Sequence, residues 1–187
     1  MQPCKKEYDF TLILAGIDDL TGEVCDALYE AGCDDATLGM QDGRGYLTFT
    51  REAASLKDAV LSAIQDVRKA KIGAEVIRLD VCDLVTQSDI ARRTGRSRQV
   101  IHQYITGERG PKGFPAPACH ITDEEGSALW LWCDVAQWLW VNDMISEAEL
   151  NEARHAALIN DVLDFVQQKQ IAPEDAEEVF NTLCGTS

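Results

Sequence analysis

Five side chains in one short segment carry groups able to read nucleic-acid bases. In Ser97-Arg98-Gln99-Val100-Ile101-His102-Gln103, a helical period places Ser97 and Arg98 at the leading end, with Gln99, His102 and Gln103 along one side. Their hydroxyl, guanidinium, carboxamide and imidazole groups supply the donors and acceptors that match base edges in a DNA major groove. Arg92, Arg93, Arg96, Arg109 and Lys112 stand around them, fixed cations suited to neutralising phosphates.

No other chemistry has a comparable signature. The chain holds no phosphate loop, nucleophile elbow, zinc signature or paired redox cysteines, and its many carboxylates form no acid-base constellation. A non-enzymatic protein without cofactor or metal is expected. The cysteines, Cys4, Cys25, Cys33, Cys82, Cys119, Cys133 and Cys184, form an odd set with no Cys-x-x-Cys pair, which fits a reducing, cytoplasmic compartment. Cys119 beside His120 makes a poor ion site, because adjacent ligands rarely reach one metal.

The elements that must position the base-reading set are legible around it. Thr86 can cap a first short helix and Ser97 a second. Ala91 is small where the two must cross, and Gly95 permits the tight turn between them. Ile90, Ile101 and Tyr104 or Ile105 can form a shared core. These are the requirements of a helix-turn-helix whose second helix enters the major groove. A loop follows at Gly107–Gly113, then Phe114-Pro115-Ala116-Pro117, a strand at Ala118–Thr122, a turn at Asp123–Ser127, a strand at Ala128–Trp132 and a helix from Asp134 to Leu139. Two strands round a polar turn make a wing.

Residues 84–142 resemble the MerR-like winged helix-turn-helix of AlpA and excisionase-type DNA-binding proteins. The resemblance rests on the helix-turn-helix, the Phe114-Pro115 segment, the short hairpin, Trp132 before the Asp134-Val135 helix, and Trp138-Leu139 near its end. It implies a sequence-specific DNA-binding domain. Trp130, Trp132, Trp138 and Trp140 then read as core and wing packing. One departure stands out: the wing turn Asp123-Glu124-Glu125 is acidic, which leaves Arg109 and Lys112 as the better phosphate contacts.

Residues 1–83 follow a different grammar. Tyr8–Ala15 alternates as a strand, Asp18–Ala31 has helical spacing, and Ala36–Gln41 and Gly45–Thr50 flank the hairpin signal Asp42-Gly43-Arg44. Ser55 can cap a helix carrying Leu56, Val60, Ile64 and Val67, and Glu75–Val81 closes the series as a strand. The order β-α-β-β-α-β is that of a ferredoxin-like domain. Small-molecule regulatory domains of the ACT type share the topology, with a ligand loop where Ala15-Gly16-Ile17-Asp18-Asp19 lies, so a packing or dimerisation module and a metabolite sensor both stay open.

Residues 143–187 form an acidic helical extension. Ser146-x-x-Glu149 is a capping box opening a helix to about Gln168, with His155, Leu158, Ile159, Val162, Phe165 and Val166 as its stripe. Pro173–Leu183 adds a helix with Val179, Phe180 and Leu183 expected inward. The expected fold class is thus α+β: a ferredoxin-like domain, a winged helix-turn-helix domain and a C-terminal helical extension serving dimerisation or partner binding.

Charge first argues against nucleic acid, since 17 Lys and Arg face 32 Asp and Glu for a net −15. Its distribution reverses that argument. Residues 86–119 hold six basic and two acidic side chains, net +4, between flanks of −7 and −12. No apolar run is long enough to span a bilayer, so no membrane association is expected. The reading that follows is a cytoplasmic, dimeric transcriptional regulator binding double-stranded DNA, autorepressor- or antitoxin-like. An acidic inhibitor or DNA mimic that binds a basic effector protein, and a small-molecule-sensing regulator, are the alternatives.

Overall fold

The computed structural model describes residues 5–120 and 128–185. The chain is a mixed α+β protein with a four-stranded antiparallel sheet and, among the described residues, seven helices. It divides into two compact units, Met1–Asp80 with Leu158–Ser187, and Val81–Ala157. The acidic C-terminal helices, expected as an extension of their own, are therefore shared out between the units.

The first unit is built on β1 (Lys6–Ala15), α1 (Gly22–Ala31), β2 (Ala36–Gln41), β3 (Arg44–Ala53), α2 (Leu56–Lys69) and β4 (Glu75–Leu79), with sheet order β2-β3-β1-β4. Period-two alternation decides which side is buried. Phe10, Leu12 and Leu14 of β1 and Leu47, Phe49 and Ala53 of β3 are buried, and Phe10 stacks on its cross-strand partner Phe49 at 5.1 Å. Ala59, Val60, Ala63, Ile64 and Val67, at three- and four-residue steps on α2, and Leu28 of α1 complete this core. The opposite face of the sheet presents Thr11, bonded to Thr48 at 3.0 Å, and Thr50, which donates to Asp9 at 2.7 Å.

Helix α1 begins at Gly22 rather than at Asp18. The Thr21 hydroxyl accepts from the Val24 N–H at 3.3 Å and so fixes the N-cap there, while Asp19 holds the Leu20 N–H at 2.8 Å in the irregular segment before the helix. The strands β1 and β3 run longer than the sequence spacing predicts because they pair with each other from Lys6↔Ala53 to Leu14↔Gly45.

One inward-facing position of β3 is charged. Arg51 grips both carboxylate oxygens of Asp35 at 2.7 and 2.8 Å, and it also donates to Asp66 at 2.8 Å, to Ser62 at 3.0 Å and to the Gly32 carbonyl at 2.8 Å. These bonds tie the α1–β2 connection to α2 and hold the guanidinium more firmly protonated than an ordinary arginine. Nearby, burial and the Asp66 carboxylate push the Cys33 thiol up to about 11, so it stays a neutral core side chain.

The second unit comprises β5 (Leu84–Val85), α3 (Gln87–Arg93), α4 (Arg98–Thr106), β6 (Cys119–His120), β7 (Ala128–Leu131), α5 (Trp132–Val141) and the start of α6 (Glu147–Ile171). The three short strands form a sheet ordered β5-β7-β6. Residues 121–127, which include the expected acidic wing turn, lie outside the described residues. Helix α5 starts at Trp132, two residues before the position expected, because the Trp132 N–H is already taken by the Asp83 carbonyl at 2.8 Å. Val85, Ile90, Ile101, Trp130, Val135, Trp138 and Leu139 are the core. Trp140, expected to pack, is 40% exposed.

From Leu158 onward α6 belongs to the first unit, followed by α7 (Pro173–Cys184). The expected apolar stripe is only partly the buried one. Ile159, Asn160 and Leu163 are buried, whereas Leu158, Val162, Phe165 and Val166 are exposed and His155 is half-buried. The reason lies in β4, an edge strand whose outward backbone groups need polar partners. Asn160 supplies them to Leu79, and Gln167, two turns on, donates to the Ile77 carbonyl at 2.6 Å. The side of α6 that meets β4 is therefore set by these amides. Val179, Phe180 and Leu183 of α7, expected inward, are also exposed, with Phe180 against Phe165 at 5.3 Å. No helix among the described residues is long and apolar enough to cross a membrane.

Candidate nucleic-acid interface

The local sequence fixes both helices of the basic segment. Thr86 closes a capping box on α3: its hydroxyl accepts the Asp89 N–H at 3.2 Å, and the Asp89 carboxylate accepts the Thr86 N–H at 3.0 Å and its hydroxyl at 2.7 Å. These two bonds hold the Asp89 carboxyl below the usual aspartate range. Gly95 then takes a left-handed conformation, φ 63°, as the tight four-residue connection 94–97 between the two helices requires. Ser97 restarts the chain as the α4 N-cap, accepting the Val100 N–H at 3.3 Å. A cross-link the spacing did not foretell joins the helices, from Gln87 Nε2 to the Arg98 carbonyl at 2.8 Å.

Helix α4 is two-sided. Ile101 is completely buried, with Tyr104 and Ile105 packed against the same core. Ser97, Arg98, Gln99 and His102 are exposed and Gln103 is half-exposed, so the five base-reading candidates share the leading end and outer arc of one helix. Arg92, Arg109 and Lys112 are exposed, and Arg92 pairs with Asp89 at 2.7 Å. Arg96 is half-buried, with one bond to the Thr94 carbonyl at 3.2 Å.

Arg93 is differently placed. Its guanidinium lies over the Trp132 ring at 4.9 Å and donates to the Cys82 carbonyl at 2.8 Å, and burial lowers its affinity for the proton.

The loop after α4 is pinned rather than loose. The Arg109 N–H bonds the Gln103 carbonyl at 3.2 Å. A Cβ at Gly110 would fall 2.5 Å from the Tyr104 ring, so only glycine lets the chain pass there. The Trp138 indole donates to the Lys112 carbonyl at 3.2 Å and the Trp130 indole to the Pro115 carbonyl at 3.0 Å, with Phe114 edge-on to both rings at 5.0 and 6.2 Å. Arg109 and Lys112 are thereby held on a fixed loop beside α4. The glycines at 107, 110 and 113 were the sequence signal for this loop's sharp course; the tryptophan anchors carried none.

The first unit offers a less defined second candidate. An open groove of about 530 Å³ on the free face of its sheet is lined by residues including Thr11, Ile13, Arg44, Tyr46 and Asp80. The Ala15–Asp19 loop is not open in this way: a Cβ at Gly16 would meet the Gly73 carbonyl oxygen at 2.3 Å, and Ile17 is buried. Among the described residues no His, Cys, Asp and Glu cluster could hold a metal ion.

No family model, curated protein or solved structure matches the chain.

Proposed function

We propose that this chain is a sequence-specific double-stranded DNA-binding protein, a transcriptional regulator of the bacterial or phage type that acts as a homodimer. In this reading residues 84–142 are a winged helix-turn-helix beside a ferredoxin-like module. The observation that carries it is the two-sided α4, with Ile101 sealed in the core and Arg98, Gln99, His102 and Gln103 on the outer arc of a helix held by caps at both ends. Arg98 or Gln99 pairing with two atoms of one base contributes about 1–3 kcal/mol of discrimination. Arg92, Arg96, Arg109 and Lys112 neutralise phosphates, and the acidic flanks lower the non-specific background through like-charge repulsion.

In vitro selection from a randomised duplex library tests this. A recurrent site with two half-sites is the expected result; a pool that stays random overturns it.

A second reading, binding of a basic protein partner, is favoured by one observation. The exposed apolar residues Leu158, Val162, Phe180 and Leu183 stand among carboxylates at Asp161, Asp164, Glu174, Asp175, Glu177 and Glu178. Charge reversal of Glu174, Glu177 and Glu178 would abolish capture of such a partner and leave duplex selection intact.

A further inference from the structure

The two edges of the four-stranded sheet are treated differently. At β4 the outward backbone groups of Leu79 and Ile77 are covered by Asn160 and Gln167. At β2 nothing equivalent happens. The residues facing β3 are Thr37, Gly39 and Gln41, as the tight Asp42-Gly43 turn dictates for the Gln41↔Arg44 pair. Leu38 and Met40 therefore point their N–H and C=O groups away from the sheet, and among the described residues no hydrogen bond reaches those four groups.

This edge also lacks the usual protections. Ala36-Thr37-Leu38-Gly39-Met40-Gln41 has no charge and no proline, whereas uncovered edges ordinarily carry lysine, proline or a bulge to prevent pairing. Beside it runs a groove of about 370 Å³ lined by Cys25, Leu28, Tyr29 and Leu38, with Tyr29 67% exposed. An uncharged edge flanked by apolar surface, in a chain of net charge −15, is a place where two copies meet without strong repulsion. The α6–α7 surface, with its six carboxylates, is the opposite.

We propose that β2 pairs antiparallel with β2 of a second copy about a two-fold axis through Gly39, joining two four-stranded sheets into one. Leu38 then exchanges both its backbone bonds with Met40 of the other chain, and Met40 with its Leu38, which satisfies all four free groups on each strand. Gly39 meets its own counterpart on the axis, and Thr37 faces Gln41, so no like charges are opposed across the seam. The groove beside α1 is brought against its own copy across the same axis. This takes up the homodimer of the proposed function and names its seam.

Light scattering and sedimentation of the full chain test it, with Leu38→Pro as the variant. Proline at 38 removes an N–H that β3 does not use, so the monomer keeps its ladder. The wild type is expected to be a dimer that dissociates on dilution, and Leu38→Pro a monomer with an unchanged circular dichroism spectrum. Hydrogen exchange on the wild type gives a reading that needs no variant: the Leu38 and Met40 amides should be protected in the dimer and lose protection on dilution. A monomeric wild type, a dimer that persists in Leu38→Pro, a dimer broken instead by Phe180→Asp, or fast exchange of both amides in the dimer would each overturn the seam. Duplex selection reports separately: a wild-type dimer that selects no site leaves the seam standing and removes the DNA reading.

Discussion

Asn160 gives both ends of its amide to one residue, Leu79. Its Nδ2 donates to the Leu79 carbonyl at 3.1 Å and its Oδ1 accepts the Leu79 N–H at 2.9 Å, as a neighbouring strand would. Leu79 faces Leu12 across β1 in a pair whose backbone groups point outward, and Asn160 is 1% exposed, so water cannot replace it. Asn160→Leu leaves a buried donor and acceptor unpaired, at about 1–3 kcal/mol each. Chemical denaturation is expected to show that loss, with Asn160→Asp also destabilised because a carboxylate meets the Leu79 carbonyl. A wild-type midpoint in Asn160→Leu would show that the edge is covered by apolar contact alone.

Arg51 makes the corresponding claim for the interior. It joins Asp35, Asp66, Ser62 and the Gly32 carbonyl from a position that is 9% exposed. Removing one partner of a buried ion pair costs about 3–5 kcal/mol, so Arg51→Ala should unfold the first unit at markedly lower denaturant. Arg51→Lys should rescue only part of this, since an ammonium cannot hold the Asp35 fork. Equal midpoints for Lys and Arg would show that charge alone matters there.

These two residues also mark the limit of what local sequence encodes. Element order was legible because local signals agreed: alternation in β1, three- and four-residue spacing in α2, caps at Thr86 and Ser97, and glycine at 95. The outer arc of α4 is legible from the same spacing, since a helix that buries Ile101 turns Gln99 and Gln103 to its far side; Arg98, one turn before Ile101, is exposed where it opens the helix. Long-range polar pairing leaves no such trace. Nothing near Asn160 announces a strand 81 residues earlier, so spacing alone points to the apolar residues of α6 as its buried side. Arg93 and its neighbour Arg92 are alike in sequence, and only the Trp132 ring beneath Arg93 distinguishes them.

The Thr86–Asp89 capping box predicts a pH dependence. Hydrogen bonds from Thr86 hold the Asp89 carboxyl low. A depressed folded value stabilises the fold above the unfolded aspartate range, and this stabilisation is lost as pH falls through the folded value. Thermal melts of wild type and Asp89→Ala should differ by a constant amount near neutrality, on the order of 1 kcal/mol for a lost cap. The curves should converge below about pH 4, near the ordinary aspartate pKa. A gap that is unchanged at acid pH would assign the effect to helix propensity instead.

The arginines around α4 separate into three expected behaviours once the preferred duplex is known. Arg98→Ala should lose affinity for that duplex but not for random DNA, flattening the preference at one base position by about 1–3 kcal/mol. Arg92→Ala should weaken all sequences alike and reduce the salt slope by about 1, the signature of a lost phosphate contact; Asp89, its partner at 2.7 Å, then stands without its cation near the phosphates, and like-charge repulsion adds to the loss. Arg93→Ala should lower the melting temperature as well, since its guanidinium covers Trp132 and satisfies the Cys82 carbonyl. Salt titrations of binding, run beside thermal melts of the same three variants, distinguish these outcomes. Equal losses for Arg98→Ala on preferred and random duplexes would make α4 a phosphate-binding helix, and base recognition would then have to come from elsewhere in the second unit.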